Sequence, residues 1–409
     1  MDVRIQPKPL SGAVTPPPSK SMAHRLIIAA ALAEGTSTIR NVAFSQDIEA
    51  TLRCMEALGA EWSRQKEDII RVTGIRNSSP PQDGLPHFDC GESGSTLRFL
   101  LPIALAVAGG GVFTGHGRLM ERPQRPYFDL FDAKGISHTL ESGVLTVKGH
   151  LAPGEFCLPG NVSSQFFTGL LYALPLLDGP STIVPTTKIE SWDYILMTTD
   201  ALRGAGVAPA EPQEGRNCFQ VTPSVYRPFD RAVEADWSQA GFWYAARALG
   251  SPVEVQGLNP HSIQGDRVVA ACCETLAAPG DVDIDVSGCP DLLPPLAVMA
   301  SIRHGTTRFV GAARLRIKES DRLATTAAAL NALGGRAEEG PDSLTVHGVP
   351  SFSGGTVDGA NDHRIVMAAA IAATRSSGPV TILDAGAVRK SYPSFWEDYQ
   401  HLGGDVHVL

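Results

Sequence analysis

An almost wholly apolar stretch, a glycine-containing turn and a short β-rich run recur six times along the 409 residues, and no other feature constrains the fold more. The apolar stretches fall at 21–34, 96–108, 165–177, 238–249, 292–303 and 364–375. Each is followed by a run such as Gly35-Thr36-Ser37-Thr38-Ile39 or Gly305-Thr306-Thr307-Arg308-Phe309-Val310. A second, amphipathic helical pattern comes next and stops near a glycine: Gly59, Gly135, Gly206, Gly280, Gly334 and Gly403. These stops lie roughly 70 residues apart, the mark of a supersecondary unit that must stack on copies of itself to bury its core. Glycine suits them because a helix commonly ends on a left-handed residue.

The two helix types predict the architecture. A helix that is apolar all round must be enclosed, whereas an amphipathic one covers a surface. Six units of this kind predict a pseudo-symmetric α/β (α+β) protein of two domains, each with three repeats whose sheets wrap the apolar helices.

Bulk charge narrows the partners. Thirty-four basic and 43 acidic residues give a net charge of −9 and a pI near 5.7. That balance argues against nucleic acid or an anionic membrane as the partner. The longest apolar run, 99–107, is too short to span a bilayer, and the N-terminus lacks a signal core. The seven cysteines form no CxxC pair and no zinc-like spacing, and are read as reduced thiols. A soluble, cytoplasmic protein is expected.

The polar residues gather where the apolar helices begin. Ser19-Lys20-Ser21, Gly91-Glu92-Ser93-Gly94-Ser95-Thr96, Ser163-Ser164-Gln165, Asp236-Trp237-Ser238, Pro290-Asp291 and Asn361-Asp362-His363-Arg364 precede or open them. Singly, each is an ordinary N-cap. Six on enclosed helices predict sites for small anions, because backbone N–H groups and the helix dipole favour negative charge there. Lys20, Arg25, Arg98 and Arg364 lie beside these ends. Arg118–Pro123 and the run 314–322 add further cations suited to carboxylate and phosphate. No P-loop lysine, dinucleotide fingerprint or nucleophile elbow is present, so cofactor-free chemistry is expected.

The segments 18–25, 91–98, 118–123, 163–166, 317–323 and 361–364, in this order, resemble the EPSP synthase (3-phosphoshikimate 1-carboxyvinyltransferase) family of enolpyruvyl transferases. The resemblance runs from about residue 4 to 403. It implies an inside-out α/β barrel of two domains, three βαβαββ-type units in each, with a cleft between them. Residues 1–13 with 234–409 would form one domain and 14–233 the other. The implied reaction moves the enolpyruvyl group of phosphoenolpyruvate to the 5-hydroxyl of shikimate 3-phosphate and releases phosphate, in the pathway to aromatic amino acids.

Site roles follow from the same resemblance. Asp291, Glu319, Lys20 and Lys318 would be catalytic. Lys20, Ser21, Arg25, Ser163, Ser164, Gln165, Ser191, Tyr194, Asp291 and Lys318 would hold shikimate 3-phosphate. Lys20, Gly94, Arg122, Gln165, Arg322, Arg364 and Lys390 would hold phosphoenolpyruvate. No metal, no cofactor, no nucleic acid and no membrane is implied, the protein would be a monomer, and glyphosate would compete for the phosphoenolpyruvate site. Four positions depart from the family pattern: Trp192-Asp193 where many relatives have Lys-Pro, Arg314 where some have Asn, and Glu92 where many have Asn. Two alternatives stand beside this reading: an enolpyruvyl transferase for another acceptor, such as UDP-N-acetylglucosamine, and a non-catalytic repeat scaffold. The first is disfavoured because 117–123 lacks the cysteine usual in that enzyme's mobile loop.

Overall fold

The computed structural model describes residues 1–75, 84–208 and 218–409. The chain divides into two units, Met1–Ser19 with Ala235–Leu409 and Lys20–Glu234. Each has its own apolar core.

Among the described residues six helices are enclosed, three to a unit: Lys20–Ala31, Gly94–Ala108 and Ser164–Ala173 in one, Trp237–Ala248, Leu293–Ala300 and His363–Ala373 in the other. Every residue of His363–Ala373 is buried, as the unbroken apolar run from Ile365 to Ala373 requires. The third predicted stretch, 165–177, is shorter as an α-helix. Pro175 ends it, and Leu174–Leu176 continue as a 3-10 turn.

Six amphipathic helices among the described residues alternate with these, including Gln46–Ala57, Trp192–Gly204 and Arg322–Ala332. All six predicted glycine stops have positive φ, from 68° at Gly135 to 103° at Gly280. Five directly follow a helix C-cap. Gly280 is the exception, because the helix Val269–Ala277 ends on Ala278 in an extended conformation.

Among the described residues six small sheets cover the enclosed helices. In the second repeat His87–Asp89 runs parallel to Gly110–Thr114, with the helix Gly94–Ala108 as the crossover between them. The hairpin Ser137–Glu141 and Val144–Lys148 completes the sheet antiparallel to that pair. Its two-residue turn places Ser142 and Gly143 at φ 50° and 76°, matching the twist of the flanking strands. Burial alternates along strands such as Val3–Gln6 and Ile69–Thr73, so that one face is buried.

Two strands exchange sheets. Gly12–Val14 precedes the helix Lys20–Ala31 but pairs with Val253–Val255, which follows the helix Trp237–Ala248. Reciprocally, Asp230–Ala232 precedes Trp237–Ala248 but pairs with Thr36–Arg40, which follows Lys20–Ala31. The chain passes from one unit to the other directly before each of these two helices, so each departing strand fills the edge the other leaves open. The sequence reading put the first crossing after residue 13; it lies at Ser19/Lys20, because Val14 is still held by Val255. The second lies between Glu234 and Ala235, one residue beyond the expected 233.

Candidate active site

The unit Lys20–Glu234 sets its buried Arg25 and Arg98 against hydroxyl, amide and carbonyl oxygens. Arg25, one turn into its helix and buried, donates from Nε to Thr198 Oγ1 (2.9 Å) and from its two Nη atoms to the carbonyls of Ser21 (2.7 Å) and Tyr194 (3.0 Å). Its guanidinium also lies 5.3 Å from the Phe99 ring centroid and 5.8 Å from that of Tyr194. Burial lowers its pKa to about 10, with Tyr172 and Tyr194 opposing the shift. Arg98 donates to Gln165 Oε1 at 2.8 Å and to the carbonyl of Pro123 at 3.0 Å, and Gln165 in turn donates to Ser95 Oγ at 2.9 Å.

Ser163 caps the helix that carries Ser164 and Gln165, accepting from the Gln165 N–H. A Cβ on Gly94 would lie 2.7 Å from Arg122 Nη1, so glycine there lets the guanidinium rest directly on the start of its helix. Ser191, also buried, holds φ 54° and ψ 50° as the residue before Trp192–Gly204. A non-glycine residue in that region carries local strain. Lys20 forms a 2.6 Å ion pair with Asp47, a carboxylate that sequence reading did not select.

The departures from the family pattern have structural destinations. Trp192 stacks on Phe219 with centroids 5.7 Å apart, so the aromatic ring packs against the strand Phe219–Val221. Arg314 donates to the carbonyl of Ser287 at 2.5 Å.

The other unit pairs Arg322, Arg364 and Lys318 with carboxylates. Arg322, fully buried, donates to Asp362 from Nε (2.8 Å) and Nη2 (3.2 Å), to Asp291 Oδ1 from Nη1 (2.8 Å) and to Glu319 Oε2 from Nη2 (2.7 Å). Arg364 reaches the other oxygen of Asp291 at 3.1 Å and its backbone carbonyl at 3.0 Å. Lys318 Nζ lies 3.4 Å from Asp291 Oδ1. Five of the six candidates in this unit thus form one network. The sixth, Lys390, donates at 2.6 Å to the carbonyl of Asn361, which with Ala360 forms a left-handed pair at φ 50° and 51°.

Asp362 is the residue the sequence reading quoted without giving it a role. It has no exposure, caps His363–Ala373 through the Arg364 N–H at 2.9 Å, and accepts from Ser320 Oγ at 2.9 Å. Its place directly before an enclosed helix was visible in the sequence, but its grip on Arg322 was not.

The electrostatics follow from these contacts. Burial pushes the Asp291 carboxyl up, but Arg364, Lys318 and Arg322 together hold it well below the ordinary carboxylate range. Burial lowers the Lys318 ammonium, an effect Asp291 partly offsets. Among the described residues no group of three or more His, Cys, Asp or Glu could hold a metal ion, and no helix is long and apolar enough to cross a membrane.

Comparison with known proteins is consistent along the whole chain. The family model for EPSP synthase (3-phosphoshikimate 1-carboxyvinyltransferase) matches residues 5–399. The 3-phosphoshikimate 1-carboxyvinyltransferases of Clostridium kluyveri and Clostridium acetobutylicum are each 42% identical, over 99% of this chain and 98% of theirs. That of Clostridium novyi is 40% identical over the same shares. Among solved structures, an EPSP synthase from Acinetobacter baumannii superposes with a TM-score of 0.79 at 25% identity, each chain covered in full. On the family match and these relatives together, the chain belongs to the EPSP synthase family.

Proposed function

We infer that the chain transfers the enolpyruvyl group of phosphoenolpyruvate to the 5-hydroxyl of shikimate 3-phosphate, yielding 5-enolpyruvylshikimate 3-phosphate and phosphate. The observation that carries this reading is the network in which Arg322, Arg364 and Lys318 converge on Asp291 beside Glu319. Addition–elimination of this kind needs fixed cations for a phosphate and a carboxylate. It also needs carboxylates that can exchange protons with the substrate.

In the addition step the acceptor oxygen bonds to C2 of phosphoenolpyruvate, the hydroxyl proton leaves to a base, and C3 takes up a proton. In the elimination step the C2–O bond to phosphate breaks, and C3 returns a proton to the protein. Asp291 and Glu319 are the proposed carriers of these protons. With Arg322 and Arg364 on its two oxygens, Asp291 is a weak base in the substrate-free protein. An anionic substrate that engages Arg364 and Lys318 draws cations off the carboxylate, and its basicity rises when a base is needed. Arg322 stays anchored by Asp362 throughout. Positioned charge of this kind stabilises the developing transition state without reorganisation.

In the other unit, Lys20, Ser21, Arg25, Ser163, Ser164, Gln165, Ser191 and Tyr194 are the proposed contacts of the acceptor. Gly94 and Arg122, with Lys20, Gln165, Arg322, Arg364 and Lys390, are those of phosphoenolpyruvate. The reading includes a cytoplasmic, monomeric enzyme, which sedimentation would check.

The deciding experiment is phosphate release with both substrates present. It should require each of them and fall about 10²–10⁴-fold in Asp291→Ala and Glu319→Gln. Binding of both ligands without release would mean that the acceptor or the proton carriers are misassigned.

A further inference from the structure

A fully buried polar chain crosses three helices of the unit Lys20–Glu234 and ends where Gly94 lies under Arg122. His24 Nδ1 is 2.7 Å from Thr51 Oγ1, and Thr51 Oγ1 is 2.7 Å from Thr96 Oγ1. Thr96 donates its hydroxyl to Ser93 Oγ at 2.7 Å, and its backbone N–H to the same oxygen at 3.2 Å. All four side chains are buried. The geometry follows from i, i+4 spacing: Lys20 and His24 share one helix face, Asp47 and Thr51 share another, and each pair meets across the contact.

The direction of the protons can be worked out from these contacts. Thr96 has one hydroxyl proton, and Ser93 receives it. The short contact between Thr51 and Thr96 therefore takes its proton from Thr51, in preference to the longer 3.3 Å contact with the Asp47 carbonyl. Thr51 is then left as acceptor toward His24, which must donate from Nδ1. The far side of the ring agrees: His24 Nε2 is buried with no hydrogen-bond partner. An empty acceptor there is tolerated better than an orphaned N–H would be. Burial, aided by Lys20 and Arg25, holds the imidazole well below its ordinary pKa, so the ring is neutral.

The consequence falls on Ser93. Both its acceptor positions are filled by Thr96, while its own hydroxyl proton has no acceptor among the described residues. We propose that His24, Thr51 and Thr96 are positioning residues that keep the Ser93 hydroxyl proton free to donate to the anion bound at Gly94 and Arg122. Without Thr51 as donor, the Thr96 oxygen becomes an open acceptor. Thr96 can then swing its own proton away from Ser93 and accept the Ser93 proton in its place, and that proton is lost to the anion. This inference rests on the reading of Gly94 and Arg122 as phosphoenolpyruvate contacts.

The test compares Thr51→Val with Thr51→Ser in the full chain. Thr51→Val removes the hydroxyl at constant shape. It should raise the KM for phosphoenolpyruvate about tenfold, the usual scale of one hydrogen bond to a charged group, and leave the KM for shikimate 3-phosphate unchanged. Thr51→Ser should restore the wild-type value. A merely structural role predicts lower stability with both KM values moving together or neither, and either outcome overturns the proposal. His24→Asn, whose amide can donate from the place of Nδ1, should behave like wild type, whereas His24→Leu should not. Independently of turnover, nitrogen NMR of histidine-labelled protein should show His24 protonated at Nδ1. An Nε2–H tautomer sinks the inference even if the enzyme is active, whereas absence of turnover in the wild type with the Nδ1–H tautomer present indicts the functional reading instead.

Discussion

Among the described residues the two units share one plan, three enclosed helices beneath three small sheets, yet they hold their buried arginines differently. In Lys20–Glu234 the buried arginines rest on hydroxyls, amides, backbone carbonyls and aromatic faces. In the other unit Arg322 and Arg364 are matched by Asp291, Glu319 and Asp362. Neutral partners leave a cation's charge available to an anionic ligand. Carboxylate partners offset that charge but supply groups able to take and give protons. One fold thus sets buried arginines on neutral groups in one copy and on carboxylates in the other.

The sharpest way to break this contrast is Arg322→Ala. It leaves Asp362 buried without its counter-ion and should cost about 3–5 kcal/mol of stability in denaturant unfolding. Truncating Arg98, which donates to Gln165 and to the Pro123 carbonyl, should cost clearly less. Equal losses would mean that the two modes of holding cations are energetically alike.

Next in size is Asp291→Asn. It keeps the shape and a hydrogen-bonding group but cannot take a proton, so turnover should fall by about 10²–10⁴-fold while both substrates still bind. Full activity would remove the acid–base assignment from this unit.

Gly94→Ala probes the receptor unit. The new Cβ meets the Arg122 guanidinium, a clash of the kind that costs about 1–3 kcal/mol. The KM for phosphoenolpyruvate should rise by about 5- to 150-fold with little change for the acceptor. An unchanged KM would show that Arg122 can move aside freely.

Acid should separate the units by pH. His24 is depressed in the folded protein, so the unfolded chain binds its proton first. The stability this neutral ring contributes is complete above its ordinary value of 6.5 and is lost as pH falls below it. Asp291 is depressed from 3.8, so its contribution is complete above that value and is lost only as pH falls further. Hydrogen exchange followed peptide by peptide should therefore show Lys20–Glu234 loosening near pH 6 while the other unit is still protected. Simultaneous loosening would refute the assignment of the neutral ring.

The smallest effect should be the same in both units. Arg40–Asp230 and Arg308–Asp283 are exposed 2.6 Å ion pairs across equivalent parallel strands. Alanine at Arg40 or Arg308 should leave the thermal midpoint essentially unmoved, since solvent screens such pairs. A clear shift in one unit alone would mean that the outer sheets differ as well as the helix starts.

The sequence by itself determined the repeat, the enclosed and covering helices, and the clustering of polar residues at helix starts. All of these are local: an unbroken apolar run demands enclosure wherever it sits, and glycine ends a helix through its own backbone freedom. It also marked Asp291, Glu319, Arg322 and Arg364 by their motifs. Only the tertiary structure decided which groups meet. The exchange of Gly12–Val14 with Asp230–Ala232, the Asp47 partner of Lys20, the grip of Asp362 on Arg322, and the path from His24 to Ser93 each join segments 27 or more residues apart. Such pairings depend on which helices become neighbours and on how far one is turned against the next. Side-chain spacing along a single helix does not contain that information.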